Sequence, residues 1–201
     1  VSSPSIVLES DGVLVERVVL DPLENNCWIV TSPSGGVLVD APSNAGLLVD
    51  VARDRGIRNV LITHGHHDHI GAAPRLAAAG LELWIGAADA DGHPWVTHRI
   101  EADTELTIDS LVVRAVLTPG HTPGSVCFLV GERLCCSGDT LFPGGPGKTT
   151  SPEAFVTIMR SIRTQLFDRL DDACVVLPGH GATTTIGRER PALPAWEERG
   201  W

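Results

Sequence analysis

The stretch LITHGHHDHIGA, residues 61–72, sets four histidines and one aspartate into the six positions 64–69, directly behind a short apolar run. Imidazoles and carboxylates are costly to bury unless they are paired or hold a cation. A chain carrying this stretch is therefore limited to folds that deliver a strand end and its following loop to a metal. In extended backbone His64 and His66 point the same way, so two imidazoles can grip one ion. Asp68 and His69 fall where the next helix begins and can turn towards a second ion beside the first. Three more ligand-type residues each end a strand downstream: His121 in TPGHTPGS, Asp139 in SGDTLF and His180 in LPGHG. Pro-Gly steps before His121 and His180 force tight turns that hold an imidazole at a strand's carboxyl end. Asp139 leaves its strand through a glycine, where a carboxylate could bridge two cations.

The rest of the chain supplies strands for these loops. GVLVERVVL (12–20), NCWIVTS (26–32), GGVLVD (35–40), RNVLIT (58–63) and LELWI (81–85) are apolar and β-branched, with Gly, Pro and Asn between them. A helix is predicted from an Asn44 cap to Gly56, and another over 71–80. The second half repeats the style with TELTID (104–109), LVVRAVLT (111–118), SVCFLV (125–130), RLCCSG (133–138) and CVVLPG (174–179). The clearest helix spans 151–170, with Ser151 as cap, Pro152 in its first turn and a stripe of Phe155, Ile158, Met159, Ile162 and Leu166. Two clusters of strands, each with helices, suggest two sheets packed face to face with helices outside.

Composition narrows the partners. The 201 residues carry a formal net charge of −10, which disfavours nucleic-acid backbones and anionic membranes, both polyanions. No apolar run approaches the roughly 20 residues that span a bilayer, and Val1 to Ser10 lack the pattern of a signal peptide. Five scattered cysteines, none in a CxxC pair, suit reduced buried thiols and a cytoplasmic protein. The adjacent Cys135 and Cys136 should face opposite sides of a strand.

The motifs resemble those of the metallo-β-lactamase superfamily and, within it, the glyoxalase-II-like (hydroxyacylglutathione hydrolase-like) metallohydrolases. The resemblance runs from about Val13 to Gly181 and rests on Asp40 in VLVDAP, the HxHxDH block, His121, Asp139 and His180. It implies an α/β fold, the four-layer αββα sandwich, as a single domain over residues 1–201. By the same resemblance His64, His66 and His121 would hold one divalent ion, Asp68, His69 and His180 the other, and Asp139 would bridge them. Asp40 would steady the ligand loop by hydrogen bonds. Two such ions, zinc by expectation and iron or manganese by the same donor chemistry, bring a shared water's pKa towards roughly 7. The resulting hydroxide attacks a carbonyl carbon, Asp68 orients it, and Asp68 and Asp139 are the implied catalytic carboxylates. A small acyl thioester is the expected substrate, because its thiolate leaves without a strong general acid.

Other features refine this reading. Glyoxalase II enzymes carry a helical carboxyl-terminal domain that helps bind glutathione, whereas only 21 residues follow His180 here. Lactonases of the superfamily use a tyrosine, and this chain has none; the β-lactamases place cysteine or serine where Asp139 stands. The rival reading is an oxidoreductase similar to the persulfide dioxygenases, with one iron held by His64, His121 and Asp139. A third is a non-catalytic domain with structural metals, against which the full ligand set argues. His67 is expected to be a non-ligand at the mouth, and His93 and His98 to lie in a surface loop. Lys148, in PGGPGKTT, either contacts the thiol portion of the substrate or is a solvated loop lysine. The tail 188–201 is expected to dock as a helix whose Trp196 and Trp201 cover core surface.

Overall fold

The computed structural model describes residues 3–10, 12–20 and 23–201. Strands β1 (Ser5–Ser10), β2 (Val13–Leu20), β3 (Asn25–Ser32), β4 (Gly35–Val39), β5 (Asn59–Ile62), β6 (Glu82–Gly86) and β7 (His98–Ile100) form one sheet in chain order. Its first four strands are an antiparallel meander, and β4 to β7 run parallel. Helix α1 (Ala45–Asp54) makes the crossover from β4 to β5; α2 (His67–Ile70) and α3 (Ala73–Ala78) make the one from β5 to β6. The second sheet begins with the antiparallel strands β8 (Thr104–Ile108), β9 (Leu111–Leu117), β10 (Val126–Val130) and β11 (Leu134–Gly138). A hairpin of β12 (Leu141–Phe142) and β13 (Gly145–Pro146) follows, then α4 (Pro152–Ser161). Strand β14 (Val175–Pro178) joins β11 in parallel, and β15 (Thr184–Thr185) closes that edge. Helices α5 (Ile186–Glu189) and α6 (Leu193–Arg199) complete the chain.

Alternation along the strands builds three apolar interfaces. Cys27, Ile29, Leu38, Val60 and Ile62 face the outer helices α1 and α3. Trp28, Val30, Val37, Val39 and Leu61 point the other way and meet Val126, Phe128, Leu134, Cys136 and Leu177 between the sheets. Cys127, Leu129, Cys135 and Val176 then pack on Ile158, Met159, Ile162, Leu166 and Trp196. Three stacked interfaces are what an αββα sandwich requires, because each sheet must bury both faces. Cys135 and Cys136 do face opposite sides, and all five cysteines are buried free thiols. Burial pushes Cys174 up to about 11, with help from the Asp171 charge, so that thiol stays protonated at neutral pH.

Several expectations change. The segment 5–10 pairs with β2 as an edge strand that its short, polar-ended pattern did not announce. Helix α4 starts at its Ser151 cap, where Oγ accepts from the Ala154 N–H at 3.2 Å, but widens into a π turn over Ile162–Phe167. His98 belongs to β7, not to a loop, and stacks on Trp84 with ring centroids 3.8 Å apart. Trp196 covers the core as expected, whereas Trp201 is 65% exposed and only its indole N–H is held, by the Thr149 carbonyl at 3.3 Å. Among the described residues no helix is long and apolar enough to cross a membrane.

Phe128 is fully buried between the sheets, so Phe128→Ala should cost about 3–5 kcal/mol by the cavity it leaves. Trp201→Ala should change stability by less than about 0.5 kcal/mol. Equilibrium urea unfolding reads both, and equal effects would contradict the layer assignment.

Candidate metal centre

The parallel strands β4, β5, β11 and β14 all end at one edge of the sandwich, where a loop can leave without disturbing the ladder. Asp40 follows β4, His64 follows β5, Asp139 follows β11 and His180 follows β14, while His121 sits in the turn after β9. This is the crevice beyond strand carboxyl ends where α/β sheets place their ligands. The one-turn helix α2 then carries Asp68 and His69 into the same space. Close approach demands glycine at two corners. Gly138 has φ +48, and a Cβ there would lie 2.4 Å from Thr63 Oγ1. A Cβ on Gly179 would lie 2.3 Å from Asp139 Oδ1.

The inward ring nitrogens converge. His66 Nδ1 lies 3.1 Å from His64 Nε2 and 2.9 Å from His121 Nε2, and His69 Nε2 lies 3.2 Å from His180 Nε2. Most of the outward nitrogens have acceptors that fix the tautomer. His121 Nδ1 donates to the Lys148 carbonyl at 2.7 Å, His180 Nδ1 to the Leu23 carbonyl at 2.9 Å, and His69 Nδ1 to Asp40 Oδ2 at 2.8 Å. His64 Nδ1 donates to Thr63 Oγ1 at 3.0 Å, since that hydroxyl gives its own proton to Asp40. Nitrogens so oriented converge on one space, an arrangement suited to holding a shared cation.

The carboxylates complete the arrangement. Asp139 Oδ1 lies 3.5 Å from His69 Nε2, and Oδ2 lies 3.5 Å from His121 Nε2 and 3.7 Å from His180 Nε2. Asp139 therefore stands between the two histidine sets. Its buried Oδ1 has no hydrogen-bond partner, an orphaned acceptor that fits a bound cation. Burial pushes the Asp139 carboxyl up, against the pull of His69, His121 and His180. Asp68 Oδ2 accepts from Asn25 Nδ2 at 3.2 Å and lies 3.4 Å from His180 Nε2. Burial acts to raise Asp68, but the Asn25 hydrogen bond and the neighbouring histidines leave it lowered. Ligand atoms of His64, His66 and His121 lie within 4.8 Å of one another, as do those of His64, His69 and Asp139, and those of Asp68, His69 and His180.

Every site residue named from the sequence is brought here except the Lys148 side chain, which contributes its backbone carbonyl to His121 and lines an adjoining cleft. His67 points away, its side chain 91% exposed. Sequence reasoning missed the supports. Asn25 touches Asp68, while Asn26 Nδ2 donates to the Pro178 and Gly181 carbonyls at 2.9 and 3.0 Å, clamping the His180 turn. Two buried asparagines opening an apolar strand, in LENNCW, were the available signal.

Asp40 anchors the set. Its left-handed φ of +65 is costly for a non-glycine residue and marks a constrained position. Its carboxylate accepts from the Thr63 N–H at 2.7 Å, the Thr63 hydroxyl and His69. Burial acts to lower His69, yet the Asp40 charge and hydrogen bond raise it to about 9, making the ring a more basic donor.

Comparison with known proteins agrees with this geometry. The profile of the Metallo-beta-lactamase superfamily matches residues 20–180. A protein named hydroxyacylglutathione hydrolase GloC, from Haemophilus influenzae, is 30% identical over 209 residues, covering 90% of this chain and 96% of its own. A hydroxyacylglutathione hydrolase-like protein of Gallus gallus is 35% identical over 82% of this chain and 61% of its own. The crystal structure of TTHA1623 in a di-iron-bound form has a TM-score of 0.74 at 28% identity, covering 90% of this chain and 99% of that one.

Asp40→Ala would leave the His69 ring and the Thr63 N–H buried without their acceptor. It should cost about 3–5 kcal/mol of stability and weaken metal binding about 10–100-fold. Thermal melting and metal titration measure these, and an unchanged melt would remove Asp40 from this role.

Proposed function

Because the chain belongs to the metallo-beta-lactamase superfamily, we propose that it is a dinuclear metal-dependent hydrolase acting on a thioester or a related small carboxylic ester. The observation that carries this reading is Asp139, an orphaned buried carboxylate between two groups of converging ligand atoms. His64, His66 and His121 would hold one divalent ion and Asp68, His69 and His180 the other, with Asp139 shared; zinc, iron and manganese all suit these donors. When bound, the pair supplies an acidified water and Lewis-acid stabilisation of the oxyanion. The chain's own part is orientation. Asn25 holds Asp68 Oδ2 towards His180, and the Asp68 carboxylate so placed would align the attacking water and take its proton. A thioester suits a site with no evident general acid, because a thiolate leaves unprotonated. The Haemophilus relative carries its hydroxyacylglutathione hydrolase name at a length this chain matches almost fully, so a long carboxyl-terminal extension is not a condition of that substrate class.

The rival, a single-iron oxidoreductase that would use only His64, His121 and Asp139, belongs to a branch that retains the other superfamily motifs, so iron content and oxygen consumption separate the two readings. The ligand atoms of Asp68, His69 and His180 form a second group, which is what the two-ion reading uses. Beside the centre, Lys148, Arg199 and the exposed Trp201 line a cleft of about 300 Å³. Neither cation has an ion-pair partner among the described residues, in a chain of net charge −10. We assign this cleft to the anionic part of the leaving group.

Metal analysis with a panel of thioesters, lactones, phosphoesters and persulfides tests the reading. About two ions per chain and thioester turnover are expected; oxygen consumption with a persulfide and one iron would overturn it. Asp139→Ala should lower both occupancy and turnover. Asp68→Asn should lower turnover at least about 100-fold with little change in melting temperature. Lys148→Ala should raise KM for anionic thioesters and weaken its salt dependence, with kcat changed less. Equal losses with a neutral thioester would make Lys148 a loop-holding residue.

A further inference from the structure

Asp89 ends the short 3-10 turn Ala87–Asp89 that leaves β6, and its carboxylate reaches two loops foreign to that element. Oδ2 accepts from the Gly65 N–H at 2.9 Å and from the Thr122 hydroxyl at 2.6 Å, while Oδ1 accepts from the Gly124 N–H at 2.8 Å. Gly65 lies between His64 and His66; Thr122 adjoins His121. The Thr122 proton is thus committed to Asp89, so the Ser125 hydroxyl, 2.7 Å away, donates to Thr122 and accepts from its N–H at 3.0 Å. A Cβ on Gly124 would lie 2.5 Å from the Asp89 nitrogen, so the second loop reaches the carboxylate only by being bare there. None of these bonds is to a ring or carboxylate of the metal centre.

The other half of the centre has separate supports. His69 leans on Asp40, Asp68 on Asn25, and His180 on the Leu23 carbonyl. We propose that Asp89 is a positioning residue that sets the separation of His66 and His121, and so the shape of the three-histidine group, by holding both loops on one carboxylate. For its effect on metal the inference rests on the reading that this group binds an ion; its effect on loop geometry does not. Two loops remote in sequence need a common fixed point if their imidazoles are to stand 2.9 Å apart, and three charge-assisted bonds to one carboxylate supply it. Asp89→Asn keeps the size but sets an amide N–H against a donor.

The test compares the wild type with Asp89→Asn, Thr122→Val and Thr122→Ser, the last two bracketing a single bond should Asp89→Asn fold poorly. In metal-free protein, Asp89→Asn and Thr122→Val should speed amide exchange at Gly65 and Gly124 and move the imidazole resonances of His66 and His121, leaving those of His69 and His180 in place. Thr122→Ser should restore the wild-type pattern. Titration with cobalt(II) should then show one of two ions weakened about 10–100-fold in Asp89→Asn, with the other unchanged. Equal disturbance of all four histidines, equal weakening of both ions, or no change at His66 and His121 would each overturn the assignment. If the wild type takes up no cobalt, the metal reading falls, and the exchange and imidazole data alone decide the role of Asp89.

Discussion

The carboxylate of Asp40 is the constraint on which the centre depends. It is 1% exposed and takes hydrogen bonds from the Thr63 backbone, the Thr63 hydroxyl and the His69 ring. One anion therefore fixes the end of β5, the orientation of His64 through Thr63, and the ring carried by α2. Such an anion is tolerated inside a sandwich only because it is fully hydrogen-bonded. The left-handed backbone at Asp40 is a local strain compensated by these bonds.

Around that anchor the architecture divides the work. Two sheets packed face to face supply rigid strand ends, and the loops and the short helix α2 beyond them carry the site residues. Four of the histidines, His64, His69, His121 and His180, are held from behind by a hydroxyl, a carboxylate and two carbonyls, so their Nε2 atoms are turned inward towards one another and towards Asp139. That arrangement, with supports behind and Nε2 atoms inward, is what suits the cluster to a metal. Asp139 and Asp68 show the same logic with opposite signs: burial raises the first, whereas Asn25 and the neighbouring rings lower the second.

The chain's strong negative charge also gives the cleft at Lys148 and Arg199 its meaning. In a chain of that net charge, two cations that line one cleft and have no ion-pair partner among the described residues are what supports the proposal of an anionic ligand there. A cation there attracts an acidic ligand over about a Debye length, roughly 8 Å at physiological ionic strength.

Much of this was legible beforehand. The apolar, β-branched strands around Val60, Phe128 and Val176, the Asn44 and Ser151 caps, and the seven ligand-type residues are local signals, because apolar runs bounded by turns, capping and turn chemistry operate over a few positions. The sequence alone determined that strand ends would carry histidines and carboxylates in a fixed order. Tertiary structure alone decided what holds them: Asn25 under Asp68, Asn26 across the His180 turn, and Asp89 between loops 64–66 and 118–124. It also decided that Trp201 lies exposed while Trp196 is buried, although both are tryptophans of one tail. The reason is physical. A supporting hydrogen bond is defined by distance in space, and partners 24, 33 or 152 residues apart leave no periodic trace in the chain.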